Sequence, residues 1–232
     1  LQVVCLDKTG TITRNRMTLV AIHVDMTAYR LDGATLWVGA ERMAGAAPAA
    51  VCKLLQLTAL CSEVEIDATP EQNQLKGTPT ETALVQAALD LGVDAVALRQ
   101  EHPLLRTRLR SEQRSFMDTL HSSHEGAQLL AVKGRPAEVL GMCDRQVWDG
   151  VILPLTHEDR LQITTANERM AGRALRVIGV AYLPTDGDPE NQNNLIWVGL
   201  AGIADPPRQG MTELMGQFHH AGIHTTMITG DQ

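Results

Sequence analysis

Two short apolar runs at opposite ends of the chain constrain its fold more than any other feature. Leu1-Gln2-Val3-Val4-Cys5-Leu6 reads as a strand buried on both faces, and Asp7-Lys8-Thr9-Gly10-Thr11 then breaks it with polar, turn-forming residues. Thr225 to Thr229 reads as a second strand, reached through a helix over 209–221. Such β-α-β ends belong to a parallel sheet, whereas the long middle carries hairpin signals of an antiparallel one. The simplest organisation is an α/β domain made of residues 1–15 and 204–232, interrupted by a large α+β insertion over 16–203.

Inside the insertion, β-prone runs between Met17 and Val38 flank Asp32-Gly33, a hairpin signal. Pro48 to Cys61 places Val51, Leu54, Leu55, Leu57 and Leu60 at helical spacing. Ser62 to Gly77 is polar and reads as a loop. Thr78-Pro79-Thr80-Glu81 marks a helix start, with an N-cap threonine, a proline in the first turn and a glutamate able to close a capping box. Gly92 is placed to end that helix. Strands are expected over 128–132, 176–183 and 195–204, and helices over 136–142 and 157–171. Thr185 to Asn194 reads as a loop, and Asp205-Pro206-Pro207 must interrupt any regular element.

Composition adds exclusions. A net charge of −7 argues against a general nucleic-acid binder, so no nucleic-acid partner is expected. Cys5, Cys52, Cys61 and Cys143 form no C-x-x-C pair and read as free thiols, and a zinc site from His121, His124 and Cys143 has little to recommend it. No run reaches the roughly 20 apolar residues of a membrane helix. Both ends read as cut, so a piece of a longer protein is expected.

Asp7 closes its strand at the carboxyl end, where open α/β sheets place ligands. A carboxylate there is able to attack phosphorus, giving an acyl phosphate. Lys8 and the amides around Thr9-Gly10-Thr11 can offset phosphate charge, and glycine lets the backbone come close. Taken alone, Asp-x-x-Gly is an ordinary turn.

The full string Cys5-Leu6-Asp7-Lys8-Thr9-Gly10-Thr11-Ile12-Thr13 resembles the phosphorylation signature of the P-type ATPases, a branch of the haloacid-dehalogenase superfamily. Four further stretches resemble that family's motifs in its order: Lys76-Gly77-Thr78-Pro79-Thr80-Glu81, Lys133-Gly134-Arg135-Pro136-Ala137-Glu138, Asp205-Pro206-Pro207-Arg208 and Thr229-Gly230-Asp231. The resemblance implies a Rossmann-like, dehalogenase-type phosphorylation domain interrupted by a nucleotide-binding domain. Its ligands would be ATP and Mg²⁺. Asp7 would be the phosphorylated nucleophile, with Lys8 beside it, and the Thr9 carbonyl would help Asp7 hold Mg²⁺. Thr229 and Gly230 would contact the transferred phosphoryl group, and Asp231 would sit near the metal. Lys133 and Gly134 would line the adenine pocket, and Glu81, which also reads as a helix cap, would be a further nucleotide-binding residue. Arg176 would approach the nucleotide phosphates, and Asp205 and Arg208 of the hinge would bear on the nucleotide, Arg208 bridging its phosphates. A pump of this kind works at the cytoplasmic face of a membrane. It would carry its cation through a membrane domain and meet an actuator domain of the same protein. A calcium-pump-like or related light-cation class is favoured over heavy-metal pumps, despite His102-Pro103.

One stretch departs from the pattern. In Leu109-Arg110-Ser111-Glu112-Gln113-Arg114-Ser115-Phe116, leucine stands where the family has an adenine-stacking phenylalanine, and Arg114 replaces a lysine. Weaker or differently oriented adenine binding is expected, with Arg114 still able to meet phosphate. The alternative is a soluble phosphatase with a large cap. Such enzymes carry a second aspartate two residues after the nucleophile, and Thr9 stands there. A regulatory module without chemistry would leave Asp7 idle.

Overall fold

A computed structural model of the chain describes residues 2–68, 73–122, 127–185 and 194–228. They fall into two compact units, Leu1–Thr18 with Ala204–Gln232, and Leu19–Ile203. The chain opens with β1 (Val3–Asp7) and a wide turn over Lys8–Ile12, closed where Thr13 N donates to Lys8 O at 2.9 Å.

The larger unit begins with β2 (Thr18–Val24), β3 (Thr27–Asp32) and β4 (Thr35–Val38), which make two successive hairpins. The sequence marks only the turn at Asp32-Gly33. At the other, Asp25 and Met26 hold positive φ angles of 48° and 53°, which a tight turn of this hand requires but which no glycine advertises. A short β5 (Glu41–Arg42) follows, then α1 (Ala49–Leu60), whose Val51, Leu54, Leu55, Leu57 and Leu60 are all buried. The polar stretch read as a loop instead holds β6 (Glu65–Ala68) and β7 (Asn73–Lys76), a separate two-stranded ribbon. Its Asp67–Lys76 ion pair, at 2.5 Å, lies in the open, and a ribbon with little apolar face gives no alternating signal.

Helix α2 (Pro79–Asp90) starts as its sequence dictates: Thr78 Oγ1 accepts from Glu81 N at 3.4 Å, with Pro79 in the first turn. It ends at Gly92, φ 85°, where Val93 N reaches Ala88 O and Gly92 N reaches Leu89 O. Next come α3 (Ala95–Glu101), β8 (Leu104–Arg108), β9 (Phe116–Ser122), β10 (Gln128–Gly134), α4 (Pro136–Gly141), β11 (Cys143–Trp148) and β12 (Val151–Pro154). Helix α5 (His157–Ala171) is set by a complete capping box between Thr156 and Asp159, and β13 (Arg176–Thr185) and β14 (Leu195–Ala204) complete the unit. The expected loop over 185–194 lies mostly outside the described residues.

Among the described residues the main sheet runs β5-β4-β3-β2-β14-β13-β10-β9-β8, with the β11–β12 hairpin joined to β14 by a parallel pairing. The β2–β3, β3–β4, β4–β5, β8–β9, β9–β10, β10–β13, β13–β14 and β11–β12 pairings are antiparallel. Burial along β10 and β14 does not alternate, so both faces of these strands are covered. Helices α4 and α5 pack against β13, as does α1, which also meets β10. One core cluster joins Phe116, Leu130, Val132, Val139, Ile163 and Trp197.

The smaller unit is completed by α6 (Met211–His220) and β15 (His224–Ile228), which pairs in parallel with β1 from Val3↔His224 to Asp7↔Ile228. The opening strand was expected to be buried on both faces. Instead its residues alternate between exposed and half-buried, and Val3 is 50% exposed. Parallel strands are buried only when helices cover both faces, and here a two-stranded sheet meets a single helix among the described residues.

Leu54 of α1 is fully buried. Leu54→Ala should therefore cost about 2–5 kcal/mol, lowering the midpoint of urea unfolding without changing its slope.

Candidate functional site

A cleft of about 710 Å³ opens in the larger unit, lined by the start of α2, the β10–α4 junction, the start of β13 and the segment before β9. Lys133 is the second-last residue of β10, and its side chain is 3% exposed. Its ammonium donates to Glu81 Oε2 at 2.5 Å, tying the sheet to the first turn of α2. A buried ammonium needs such a partner, because its desolvation is otherwise uncompensated. The glutamate expected to close a capping box is thus turned to the lysine, and Thr78 alone caps the helix through its side chain.

Gly134 follows Lys133 and lies opposite Phe116 in register. A Cβ at Gly134 would meet Phe116 Cβ at 2.3 Å and Ser115 O at 2.6 Å, so the two strands approach this closely only because the side chain is missing. Arg176, at the start of β13, reaches into the same cleft and donates to Thr80 Oγ1 at 2.6 Å. Leu109 forms part of the rim and is 47% exposed.

Arg114 takes a different course. Its guanidinium donates to the Leu109 carbonyl, lies 5.3 Å from the centre of the Phe116 ring and comes within 3.9 Å of Asp118 Oδ2. It is not among the residues lining the cleft. Asp118 is wholly buried in β9 and also pairs with Arg108 at 3.1 Å and Arg106 at 3.7 Å. Phe116 is buried in the core cluster and cannot supply the aromatic face that Leu109 lacks.

Behind the cleft, burial raises the Cys61 thiol to about 11, which leaves it protonated and unreactive at neutral pH. Burial likewise pushes the Cys143 thiol up to about 12. Both nitrogens of His121 are engaged, with His102 O at 3.0 Å and Thr119 Oγ1 at 2.8 Å, which removes it as a metal ligand. His124 lies outside the described residues, and among those described no cluster of His, Cys, Asp or Glu could hold a metal.

In the smaller unit, Asp7 is the exposed last residue of β1, and Lys8 and Thr9 open the turn after it. Asp205 and Arg208 grip the far end of that turn. Asp205 Oδ2 accepts from Thr13 Oγ1 at 2.5 Å and Oδ1 from Arg16 N at 3.0 Å. Arg208 donates to Gly10 O at 2.7 Å and Thr13 O at 3.2 Å, and its amide to Ile12 O at 2.8 Å. Thr229, Gly230 and Asp231 lie outside the described residues.

The structure thus gathers Glu81, Leu109, Lys133, Gly134 and Arg176 around one cleft, and Asp205 and Arg208 around the loop that follows Asp7. Glu63, Thr80, Arg110, Met117 and Arg135 also line the cleft, without having been marked as site residues by the sequence. Thr80, Arg110 and Arg135 stand inside the quoted motifs, and Met117 is the cross-strand partner of Lys133, which only the register reveals.

A family model described as the P-type ATPase cytoplasmic domain N matches residues 50–210, which contain the whole cleft. The chain belongs to the P-type ATPases. It is 32% identical over 234 residues to calcium-transporting ATPase 1 of Lactococcus lactis, covering 99% of this chain and 25% of that one. It is 30% identical over 240 residues to human calcium-transporting ATPase type 2C member 1, with the same coverages. It is 30% identical over 249 residues to cation-transporting ATPase pma1 of Synechocystis, covering 99% of this chain and 27% of that one. The chain thus spans about a quarter of the length of the relatives it matches. No helix among the described residues is long and apolar enough to cross a membrane.

Removing one member of the buried pair strands the other. Glu81→Gln should destabilise this P-type ATPase chain by about 3–5 kcal/mol in urea unfolding. Replacing both partners, as in Glu81→Leu with Lys133→Met, should recover most of that loss.

Proposed function

We propose that this chain is the ATP-binding and autophosphorylated cytoplasmic part of an ATP-driven cation pump. The observation that carries the reading is the cleft, where the buried Lys133–Glu81 pair, the side-chain-free backbone at Gly134 and the Arg176 guanidinium converge. Cleft volume and polarity suit a nucleotide: apolar walls from Met117, Val177 and Ile178 beside a few placed charges. Glu81 and Lys133 would meet the base, Leu109 would press on it from the rim, and Arg176 would take the phosphates.

Residues 1–15 with 204–232 would then be two segments of the phosphorylation domain, and 16–203 the nucleotide-binding domain. In the reaction, an Asp7 carboxylate oxygen attacks the γ-phosphorus of ATP. The bond from that phosphorus to the bridging oxygen breaks, ADP leaves, and Asp7 carries an acyl phosphate. Phosphoryl transfer asks a protein chiefly for position and charge neutralisation. Lys8 supplies charge, Thr229 and Gly230 would hold the transferred group, and Asp231 would lie near the metal. The Asp7 carboxylate and Thr9 carbonyl are hard oxygen donors of the kind Mg²⁺ takes alongside substrate phosphates. The ion, when bound, would neutralise phosphate charge.

Asp205 and Arg208 enter this reading as positioning residues. Their bonds to Gly10, Ile12, Thr13 and Arg16 fix the loop that follows the nucleophile, a different task from touching the nucleotide. The names of the relatives support calcium or another light cation as cargo, carried by a membrane domain and coupled through an actuator domain.

Titration with Mg²⁺-ATP should shift the backbone NMR signals of Lys133, Gly134 and Arg176, with an affinity of about 1 mM. Unmoved signals there would overturn the nucleotide reading. In the whole pump, Asp7→Asn should abolish acid-stable, hydroxylamine-sensitive phosphorylation from γ-labelled ATP. Thr13→Val and Asp205→Asn should slow it about tenfold, Thr13→Ser much less, with ATP affinity unchanged in all three.

A further inference from the structure

The nucleotide cleft has no aromatic ring in its lining. Its charged side chains are Lys133, Arg110, Arg135 and Arg176 against Glu63 and Glu81. Lys133 and Glu81 satisfy each other, and Arg176 bonds the neutral Thr80. Arg110 and Arg135 form no side-chain hydrogen bond or ion pair with any described residue. The cleft therefore offers three guanidinium groups facing one spare carboxylate, and no π-face for a base.

From this, and resting on the reading of the cleft as a nucleotide site, we infer that it selects its ligand by the polyphosphate and tolerates any base, with Arg135 and Arg110 as added phosphate contacts. Guanidinium groups match phosphate oxygens in pairs, and unpartnered ones lose no protein bond by turning to a ligand. Stacking on an aromatic ring would ordinarily hold the base, and here only aliphatic side chains, the Met117 thioether and guanidinium planes can press on it, none of which discriminates strongly between bases.

The polar floor favours the same tolerance. The Lys133 ammonium has donors to spare beyond its bond to Glu81, and the Glu81 carboxylate has spare acceptor sites. Every nucleobase carries a donor beside an acceptor on its pairing edge. Adenine and cytosine present an exocyclic amine next to a ring nitrogen, guanine and uracil a carbonyl next to a ring N–H. A lysine next to a glutamate can serve either order, so this floor gives no strong reason to prefer one base.

The test is calorimetric titration of the 232-residue chain with the Mg²⁺ complexes of ATP, GTP and CTP, and with AMP, at two salt concentrations. The three triphosphates should bind within about tenfold of one another, ATP more than about tenfold tighter than AMP, and triphosphate affinity should fall as salt rises. Arg135→Ala, at an exposed position, should weaken all three triphosphates about three- to tenfold and leave AMP unchanged. ATP favoured by more than about tenfold over both GTP and CTP would overturn the inference while leaving the nucleotide site standing. So would an Arg135→Ala chain that binds ATP like the parent. Binding of none of the four ligands would overturn both.

Discussion

The bond between Lys133 and Glu81 is the constraint on which the larger unit depends. It joins residues 52 apart in sequence, one on an inner strand of the sheet and one in the first turn of a helix. Neither partner can sit where it does without the other, because a lone charge at that depth would carry an uncompensated desolvation cost. The pair therefore fixes how α2 meets β10. The cleft opens beside that junction, so its floor is set by folding and needs no ligand to assemble it.

The smaller unit solves a different problem by similar means. Between 8 and 16 the chain turns sharply after Asp7, with one parallel strand pairing and one helix for support among the described residues. Asp205 and Arg208 supply the missing rigidity by bonding their side chains to the backbone of this loop and to the Thr13 hydroxyl, across nearly 200 residues of sequence. The two prolines between them keep that segment extended and free of helix, leaving Arg208 N to reach Ile12 O and Pro206 O to accept from Arg14 N.

Much of this was legible in the residues where local chemistry decides the outcome. Thr78-Pro79 announced α2, Gly92 ended it, and the apolar runs at 128–132 and 195–204 became β10 and β14. The failures arose where the deciding partner lay far away. Glu81 reads locally as a cap and is drawn instead to a lysine on another element. Arg114 matches a phosphate-binding position yet spends its guanidinium on Phe116, Asp118 and the Leu109 carbonyl. The β6–β7 ribbon and the Asp25-Met26 turn carried no pattern to read, one for want of an apolar face and the other for want of glycine. Glycine at 134 was recognised by its motif, but the reason for it, the approach of Phe116, belongs to the register of two strands.

The distribution of thiols has a practical side. Cys61 and Cys143 are buried and hold their protons, Cys52 is half-covered, and Cys5 is exposed on the strand that ends at Asp7. Because side chains on a strand repeat every second residue, Cys5 and Asp7 project from the same side of β1. A fluorophore coupled through maleimide would therefore attach mainly at Cys5 and report, from two residues away, on the electrostatic surroundings of the Asp7 carboxylate.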